Sequence, residues 1–197
     1  MSGGDPQPHP LASPIDELTG AYNRSSALAL LFRETDRAQR MKTPLSLLLF
    51  AIDDFARLTD GRDPAAKNKL ARQVVSRIER QLRSYDVLGR IGDEKFLIIL
   101  PGCSAADATR LAERMHTDVF AQPFDVANEA MQLSACFGIA LSAGRSPMVV
   151  LREAEDALKR AKNTGPASIQ CFGSDRETFD QLFAFDWPRS EDEPRAR

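Results

Sequence analysis

The segment DVLGRIGDEKFLIIL (Asp86–Leu100) holds two short apolar runs on either side of a Gly-Asp pair. Such a pair supplies the backbone freedom of a tight turn, so the segment predicts a β-hairpin. Upstream, the continuous apolar run PLSLLLFAIDDF (Pro44–Phe55) indicates a central strand covered on both faces. Downstream, MQLSACFGIALS (Met131–Ser142) predicts a half-buried strand, because apolar residues alternate at Leu133, Ala135, Phe137 and Ile139.

Helical spacing of apolar residues surrounds these strands. Asn23 is a candidate N-cap for a helix that carries Leu28, Leu31 and Phe32. Three further helices are predicted over Pro64–Arg83, Ala105–Phe120 and Val149–Lys162, and SIQCF (Ser168–Phe172) predicts a last short strand. The order helix, strand, helix, hairpin, helix, strand, helix, strand indicates a mixed α/β domain, with helices packed on a sheet that contains an antiparallel hairpin.

Composition excludes several classes of protein. The 197 residues include 26 Lys and Arg against 28 Asp and Glu, so there is no basic excess for DNA binding. Cys103, Cys136 and Cys171 are widely spaced, which argues against a disulfide framework or a zinc site and favours reduced core thiols. No signal peptide is visible, and the apolar run at Leu45–Ile52 is far short of the ~20 residues that span a bilayer. We therefore expect a soluble cytoplasmic protein with no membrane segment.

The chain divides into three parts. Residues 1–13, rich in Pro, Gly and Ser, predict a disordered lead-in, and residues 14–173 form the predicted domain. Residues 174–197 combine an aromatic segment with a charged tail; the aromatic segment carries Phe179, Leu182, Phe183, Phe185 and Trp187. Two interpretations stay open for it: packing on its own domain, or a helix that docks on a protein partner.

Four motifs resemble those of GGDEF domains, the diguanylate cyclases that condense two GTP into cyclic di-GMP. These motifs are DELTGAYNR (Asp16–Arg24), PLSLLLFAIDDF, RSYDVLGRIGDEKF and EDALKRAKNTG, in the family's order and at its separations. The resemblance covers about Pro14–Phe172. It implies a palm-like nucleotidyl-cyclase fold, with a five-stranded sheet wrapped by helices.

The resemblance also implies which residues would carry catalysis, and several differ here. Such a site needs two divalent metals held by carboxylates and a backbone loop close to the phosphates. The family's Asp-x-Asp step reads Ala51-Ile52-Asp53, so one ligand is missing, and Asp53 is interpreted as an N-cap or a solvated turn acid. In gap-free register, Gly-Gly-Asp-Glu-Phe becomes Gly92-Asp93-Glu94-Lys95-Phe96. Glu94 remains a potential ligand, but Lys95 opposes a second cation. We expect no catalysis, and neither Mg²⁺ nor another cofactor.

Substrate recognition is altered as well. The family's guanine-reading Asn and Asp correspond to Thr59 and Asn68, which lack the paired amide and the charged acceptor. Its phosphate-binding Lys is retained as Lys162, whereas two other active-site cations become Ala56 and Pro166.

A second site of the family, an inhibitory pocket for the product, is retained. Its Arg-x-x-Asp motif reads RSYD, with Arg83 and Asp86 at the family's spacing to the hairpin. A guanidinium fork and a carboxylate suit the edges of guanine. Arg114 corresponds to another ligand-binding Arg, and Arg37 to the Arg that a neighbouring domain contributes to the inhibited dimer. The motif alone is weak, because RETD, RLTD and RSED (residues 33–36, 57–60 and 189–192) also match it.

The leading hypothesis is therefore a catalytically inactive GGDEF protein. It would act as a receptor for cyclic di-GMP and signal to a protein partner, through ligand-linked homodimerisation or an exposed docking surface. One alternative is an interaction scaffold that needs no ligand. Another is a residual cyclase or GTP-binding regulator that uses Glu94, Asp53 and Lys162.

Overall fold

The computed structural model describes residues 13–126 and 129–173. Its main sheet has five strands in the order β2-β3-β1-β6-β7, and a separate two-stranded ribbon joins β4 to β5. The strands are β1 Leu45–Ile52, β2 Val87–Arg90, β3 Lys95–Pro101, β4 Phe124–Val126, β5 Glu129–Met131, β6 Ala135–Leu141 and β7 Ile169–Cys171. The helices are α1 Arg24–Met41, α2 Phe55–Thr59, α3 Pro64–Glu79, α4 Ala105–Met115 and α5 Pro147–Thr164, and a π-helical turn spans His116–Phe120.

Strand β1 is the centre of the sheet. It pairs antiparallel with β3 on one side and with β6 on the other, and all eight of its residues are buried. Phe50 lies opposite both Phe96 and Phe137, with ring centroids 4.9 Å and 5.5 Å away. The predicted central strand is therefore confirmed.

The helices form one layer on each face of the sheet. Because side chains alternate along a strand, Leu48, Phe50 and Ile52 face the layer of α3 and α4. Leu47, Leu49 and Ala51 face the layer of α1 and α5. This arrangement confirms the fold that the resemblance implied.

The first helix begins at the predicted cap. The Asn23 side chain accepts a hydrogen bond from the amide of Ser26 at 2.9 Å, which satisfies one of the free amides of the first turn. Leu31 is fully buried, but Phe32 is half exposed because it lies one position past the buried stripe.

The hairpin of β2 and β3 is also confirmed, with Arg90 opposite Phe96. The prediction for the strand in Met131–Ser142 was partly wrong. Strand β6 starts at Ala135, and six of its seven residues are buried rather than every second one. Its position between β1 and β7, with α4 and α5 packed on it, covers both of its faces.

Several features had no clear sequence signal. These are the five-residue helix α2, the π-helical turn, and the ribbon of β4 and β5. Cys103, Cys136 and Cys171 are free thiols. No helix within the described ranges is both long and apolar enough to cross a membrane. The predicted lead-in, up to residue 12, and the aromatic segment from residue 174 onward lie outside the described residues.

A substitution at Gly138 on β6 tests how closely α5 packs on the sheet. A methyl group at this position would overlap the backbone nitrogen of Leu158 and the backbone oxygen of Ala154. We expect Gly138→Ala to lower the free energy of unfolding by about 3 kcal/mol, the upper end of the usual cost of overpacking. Urea denaturation measures this change.

Gly92→Ala is the matched control, because a methyl group there meets only the Cβ of Lys95 at an ordinary 3.4 Å. The control should change stability by less than about 0.5 kcal/mol. Equal stability of the two variants would contradict the close contact between α5 and β6.

Candidate functional site

The turn between α3 and β2 contains the predicted residues Arg83 and Asp86. The amide of Arg83 donates to Oδ2 of Asp86 at 2.7 Å, and the amide of Asp86 donates to the carbonyl of Arg83 at 3.1 Å. These two bonds close the turn. Both bonds use backbone amides as donors, and the guanidinium of Arg83 is exposed to solvent.

Tyr85 extends this turn toward solvent. Its hydroxyl accepts from Nη1 of Arg83 at 3.0 Å, and more than half of its surface is exposed. The sequence reasoning missed Tyr85 as a site residue, although it stands inside the RSYD motif. An exposed aromatic ring beside an arginine provides a stacking surface for a planar base.

Burial raises the pKa of two groups at the turn, Asp86 and Cys103. Partial burial raises the pKa of the Asp86 carboxyl above its ordinary value, although the amide and guanidinium of Arg83 act in the opposite direction. Burial also raises the pKa of the neighbouring Cys103 thiol to about 11, with Asp107 and Asp86 adding to the effect. The thiol is therefore protonated at neutral pH.

Arg114 reaches the same turn from α4. Its Nε donates to Oε1 of Gln81 at 2.9 Å, and its Nη2 donates to the carbonyl of Gln81 at 3.1 Å. Arg114 is therefore anchored at Gln81, which lies two residues before Arg83 in the chain. Gln81 was missed by the sequence reasoning, because nothing in the local sequence signals a contact across 33 residues.

A cavity of about 250 Å³ opens beside the turn. Gly20, Ala21 and Tyr22 form one wall, and residues from Glu79 to Leu88 form the other. This volume is below the roughly 300–1,000 Å³ of pockets that enclose a whole small-molecule ligand. The cavity therefore suits one part of a ligand, with the rest lying on the exposed turn.

The fourth predicted residue, Arg37, lies elsewhere. It is on α1, in the helical layer that packs on the opposite face of the sheet from α3 and α4. Its Nη1 lies 3.6 Å from Oε2 of Glu34 on the same helix. The structure does not bring Arg37 to the turn of its own chain.

The other matches to the Arg-x-x-Asp pattern have different contacts. Arg33 pairs with Glu34, and Arg57 pairs with Asp54 upstream of it. The match at residues 189–192 lies outside the described residues. In RSYD, by contrast, the carboxylate bonds to the backbone of the arginine.

The hairpin at the other end of β2 occupies the position of the catalytic signature. Lys95 lies opposite Ala51, whose other neighbour across the sheet is Cys136, and Ala51 is fully buried. Arg90 holds the loop by donating to the carbonyls of Gly92 and Asp93 at 3.2 Å and 3.1 Å. Asp93 itself is exposed.

The carboxylates near the hairpin already have partners. Oε1 of Glu94 lies 3.0 Å from Nζ of Lys162, so these two predicted residues come together. Oδ2 of Asp53 accepts from the hydroxyl of Ser134 at 2.7 Å and from the amide of Ala167 at 2.9 Å. The interpretation of Asp53 as a helix cap or solvated acid was wrong, because it joins β1 to two distant loops.

This arrangement does not fit a pair of divalent metals. Ala51 offers no ligand, and the contacts of Asp53 and Glu94 are with protein donors. No three His, Cys, Asp or Glu side chains in residues 13–126 and 129–173 are grouped as a metal site would require. Two-metal phosphoryl transfer needs carboxylates that converge on the cations.

The residues at the positions that correspond to the family's guanine-reading pair make contacts within their own helices or are partly buried. Thr59 is buried, and its hydroxyl donates to the carbonyl of Phe55 at 2.8 Å, one turn earlier. Asn68 lies half-buried on α3, and both Ala56 and Pro166 are exposed.

Comparison with known proteins identifies the family. The family model for "Diguanylate cyclase, GGDEF domain" matches residues 13–168. The chain therefore belongs to the GGDEF family of diguanylate cyclase-related domains. The response regulator PleD of Caulobacter vibrioides is 32% identical over 158 residues, which cover 78% of this chain and 35% of PleD. The chain thus spans about a third of the length of this curated relative.

Solved structures share this fold. The GGDEF domain of DgcB from Caulobacter crescentus, crystallised in complex with c-di-GMP, has a TM-score of 0.78 at 24% identity, covering 83% of this chain and 98% of that one. The diguanylate cyclase SiaD of Pseudomonas aeruginosa, in complex with its activator SiaC, has a TM-score of 0.76 at 30% identity, covering 81% of this chain and 62% of that one.

The raised pKa of Asp86 has a consequence for stability. A carboxyl with a raised folded-state pKa binds its proton more tightly in the folded state, so its ionisation at neutral pH costs stability. Asp86→Asn keeps an acceptor for the amide of Arg83 and removes this cost. We expect the variant to unfold at a higher temperature than the parent at pH 7.

Thermal unfolding across pH measures the effect. The difference should shrink as the pH falls toward about 3, where the carboxyl of the parent is largely protonated in both states. Asp93→Asn, which changes an exposed carboxyl in the hairpin, is the control. A variant that is less stable than the parent at pH 7 would show that the charge of Asp86 stabilises the fold.

Proposed function

We propose that this protein is a catalytically inactive member of its family that binds cyclic di-GMP at the turn between α3 and β2. Arg83, Asp86 and Arg114 form the binding site, and the bound state signals to a protein partner. The observation that supports this proposal most directly is the preformed turn, in which Asp86 is fixed by the backbone of Arg83 and Arg114 is anchored on Gln81.

The chemistry of the turn suits guanine. The exposed guanidinium of Arg83 offers paired donors to O6 and N7, and the carboxylate of Asp86 accepts from the N–H groups of the base. The ring of Tyr85 adds a surface on which a base can stack. A preformed site of this kind loses little conformational entropy when the ligand binds.

The hairpin supports the second part of the proposal, the absence of catalysis. Lys95 places a cation where the family has a carboxylate, and Lys162 already pairs with Glu94. A cation close to the metal position opposes divalent metals by direct repulsion. The buried Ala51 leaves the first metal ligand unreplaced.

A protein partner is supported by relatives of the same fold. SiaD, which shares this fold, was crystallised in complex with its activator SiaC, so one relative of this chain acts together with a protein partner. A scaffold that needs no ligand would keep such an interface without the arginine site. Loss of nucleotide binding with retained partner binding would distinguish it.

A residual cyclase is the second candidate, because SiaD is a diguanylate cyclase and the chain retains Glu94 and Lys162. In that case Lys162 would leave Glu94 to contact the phosphates of GTP. The two candidates differ in what they do with GTP and magnesium.

Calorimetric titration with cyclic di-GMP tests the receptor. We expect Arg83→Ala to weaken binding by roughly 10- to 150-fold, since charge-assisted hydrogen bonds contribute about 1.5–3 kcal/mol. Arg57→Ala, from the RLTD match, is the matched control and should bind like the parent. Unchanged affinity in Arg83→Ala would refute the site.

Turnover of GTP tests the absence of catalysis. We expect no cyclic di-GMP when the purified protein is incubated with GTP and Mg²⁺, because the carboxylates near the hairpin do not converge on a metal position. Chromatography of the reaction products measures this directly. Product that forms in the parent and disappears in Glu94→Gln would establish a residual cyclase.

A further inference from the structure

Tyr85 lies in the turn between α3 and β2, between the two residues that are proposed to bind guanine, Arg83 and Asp86. More than half of its surface is open to solvent. A single exposed aromatic residue is common and needs no functional explanation. The contact of its hydroxyl with Arg83, however, bears on how the turn meets a ligand.

The hydroxyl of Tyr85 holds the guanidinium of Arg83. Nη1 of Arg83 donates to the hydroxyl oxygen at 3.0 Å, and the guanidinium carbon lies 5.8 Å from the centre of the tyrosine ring. Carbon atoms in direct contact lie about 3.5–4.0 Å apart, so the guanidinium lies toward the hydroxyl end of the ring rather than over its centre. The hydrogen bond, and not stacking, is therefore the main contact between the two side chains.

Arg83 is thus restrained at both ends. Its backbone amide donates to Oδ2 of Asp86, and its guanidinium donates to Tyr85. An exposed arginine side chain otherwise has many accessible rotamers, and it loses this freedom when it binds a ligand. The contact with Tyr85 removes part of that loss before the ligand binds.

The contact also selects the donors of Arg83 that remain free. A guanidinium is planar, and its edge formed by Nε and Nη2 lies on the opposite side from Nη1. Among the described residues, no acceptor bonds to Nε or Nη2 of Arg83. This free edge presents two parallel donors, and it points away from Tyr85.

The free edge of Arg83 is available to a group in the cavity beside the turn. Arg83 lines this cavity of about 250 Å³, whereas Tyr85 is not part of its wall. Guanine presents two acceptors, O6 and N7, to such a pair of donors. Adenine presents one acceptor beside a donor, so the same edge opposes adenine.

We propose that Tyr85 is a positioning residue, whose hydroxyl turns the Nε–Nη2 edge of Arg83 toward the cavity for a guanine base. This inference rests on the proposed binding of cyclic di-GMP. It gives Tyr85 a role in selecting guanine over adenine, because a fixed pair of donors rejects the amino group of adenine. The RETD and RLTD matches lack this contact, since Thr35 and Thr59 are buried and neither hydroxyl bonds to the arginine of its motif.

Tyr85→Phe removes the hydroxyl and keeps the ring. We expect this variant to bind cyclic di-GMP about two- to tenfold more weakly than the parent, the usual effect of one hydrogen bond, and to bind cyclic di-AMP as the parent does. The preference for cyclic di-GMP should narrow by the same factor. The unfolding temperature should stay within about 2 °C of that of the parent, because the residue is exposed.

Calorimetric titration with the two cyclic dinucleotides measures the preference, and displacement of cyclic di-GMP by cyclic di-AMP extends the measurement to weak binding. Ser76→Ala is the matched control, because it removes an exposed hydroxyl from α3 and should keep the affinity and the preference of the parent. Adding Tyr85→Phe to Arg83→Ala should cause no further loss of preference, since the hydroxyl acts through Arg83.

The outcomes separate the two proposals. No binding of cyclic di-GMP by the parent would refute the proposed function. Binding by the parent together with an unchanged preference in Tyr85→Phe, or with equal weakening of both ligands, would overturn the role of Tyr85 and leave the receptor intact.

Discussion

The fold depends on the burial of β1 from both sides. Its eight residues alternate between two apolar layers, and both of its edges are paired with other strands, so its backbone polar groups find their hydrogen-bond partners largely within the sheet. A strand in this position tolerates polar groups only at its ends. The polar groups of the candidate sites therefore lie in the turns and loops at the ends of the strands.

Strand β2 links the two places where polar groups collect. The turn with Arg83 and Asp86 precedes it, and the hairpin loop follows directly after its four residues. The N-terminal segment is paired with this strand, since Tyr22 forms backbone hydrogen bonds with Leu88 and Arg90. Close packing adds to the constraint, because a methyl group on Gly89 would overlap the side chain of Ala27. The edge strand is thus held firmly, and the turn before it is presented on a rigid support.

Local sequence signals predicted the elements but not the contacts between them. Asn23, the apolar run of β1 and the hairpin each carry their signal within a few residues, so these features were predicted correctly. The partners of Asp53 lie 81 and 114 residues away, at Ser134 and Ala167, and no local pattern indicates them. The alternation in the strand around Phe137 predicted one exposed face, because the sequence does not reveal that α5 covers the face of Cys136, Gly138 and Ala140. For the same reason, the spacing of RSYD marked Arg83 and Asp86, whereas the support from Gln81 emerged only in three dimensions.

The charged groups of the domain differ in what they cost the fold. At the hairpin, the charged pair Glu94 and Lys162 is partly exposed, and Asp53 is satisfied by protein donors, so these groups cost little. At Asp86 and Glu34 the carboxylates are desolvated and imperfectly compensated, which costs stability. Asp86 lies on the turn beside Arg83, whereas Glu34 lies on α1, on the other face of the sheet from α3. At Asp86 the cost is offset when the carboxylate accepts hydrogen bonds from a bound ligand, because such bonds favour its ionised form.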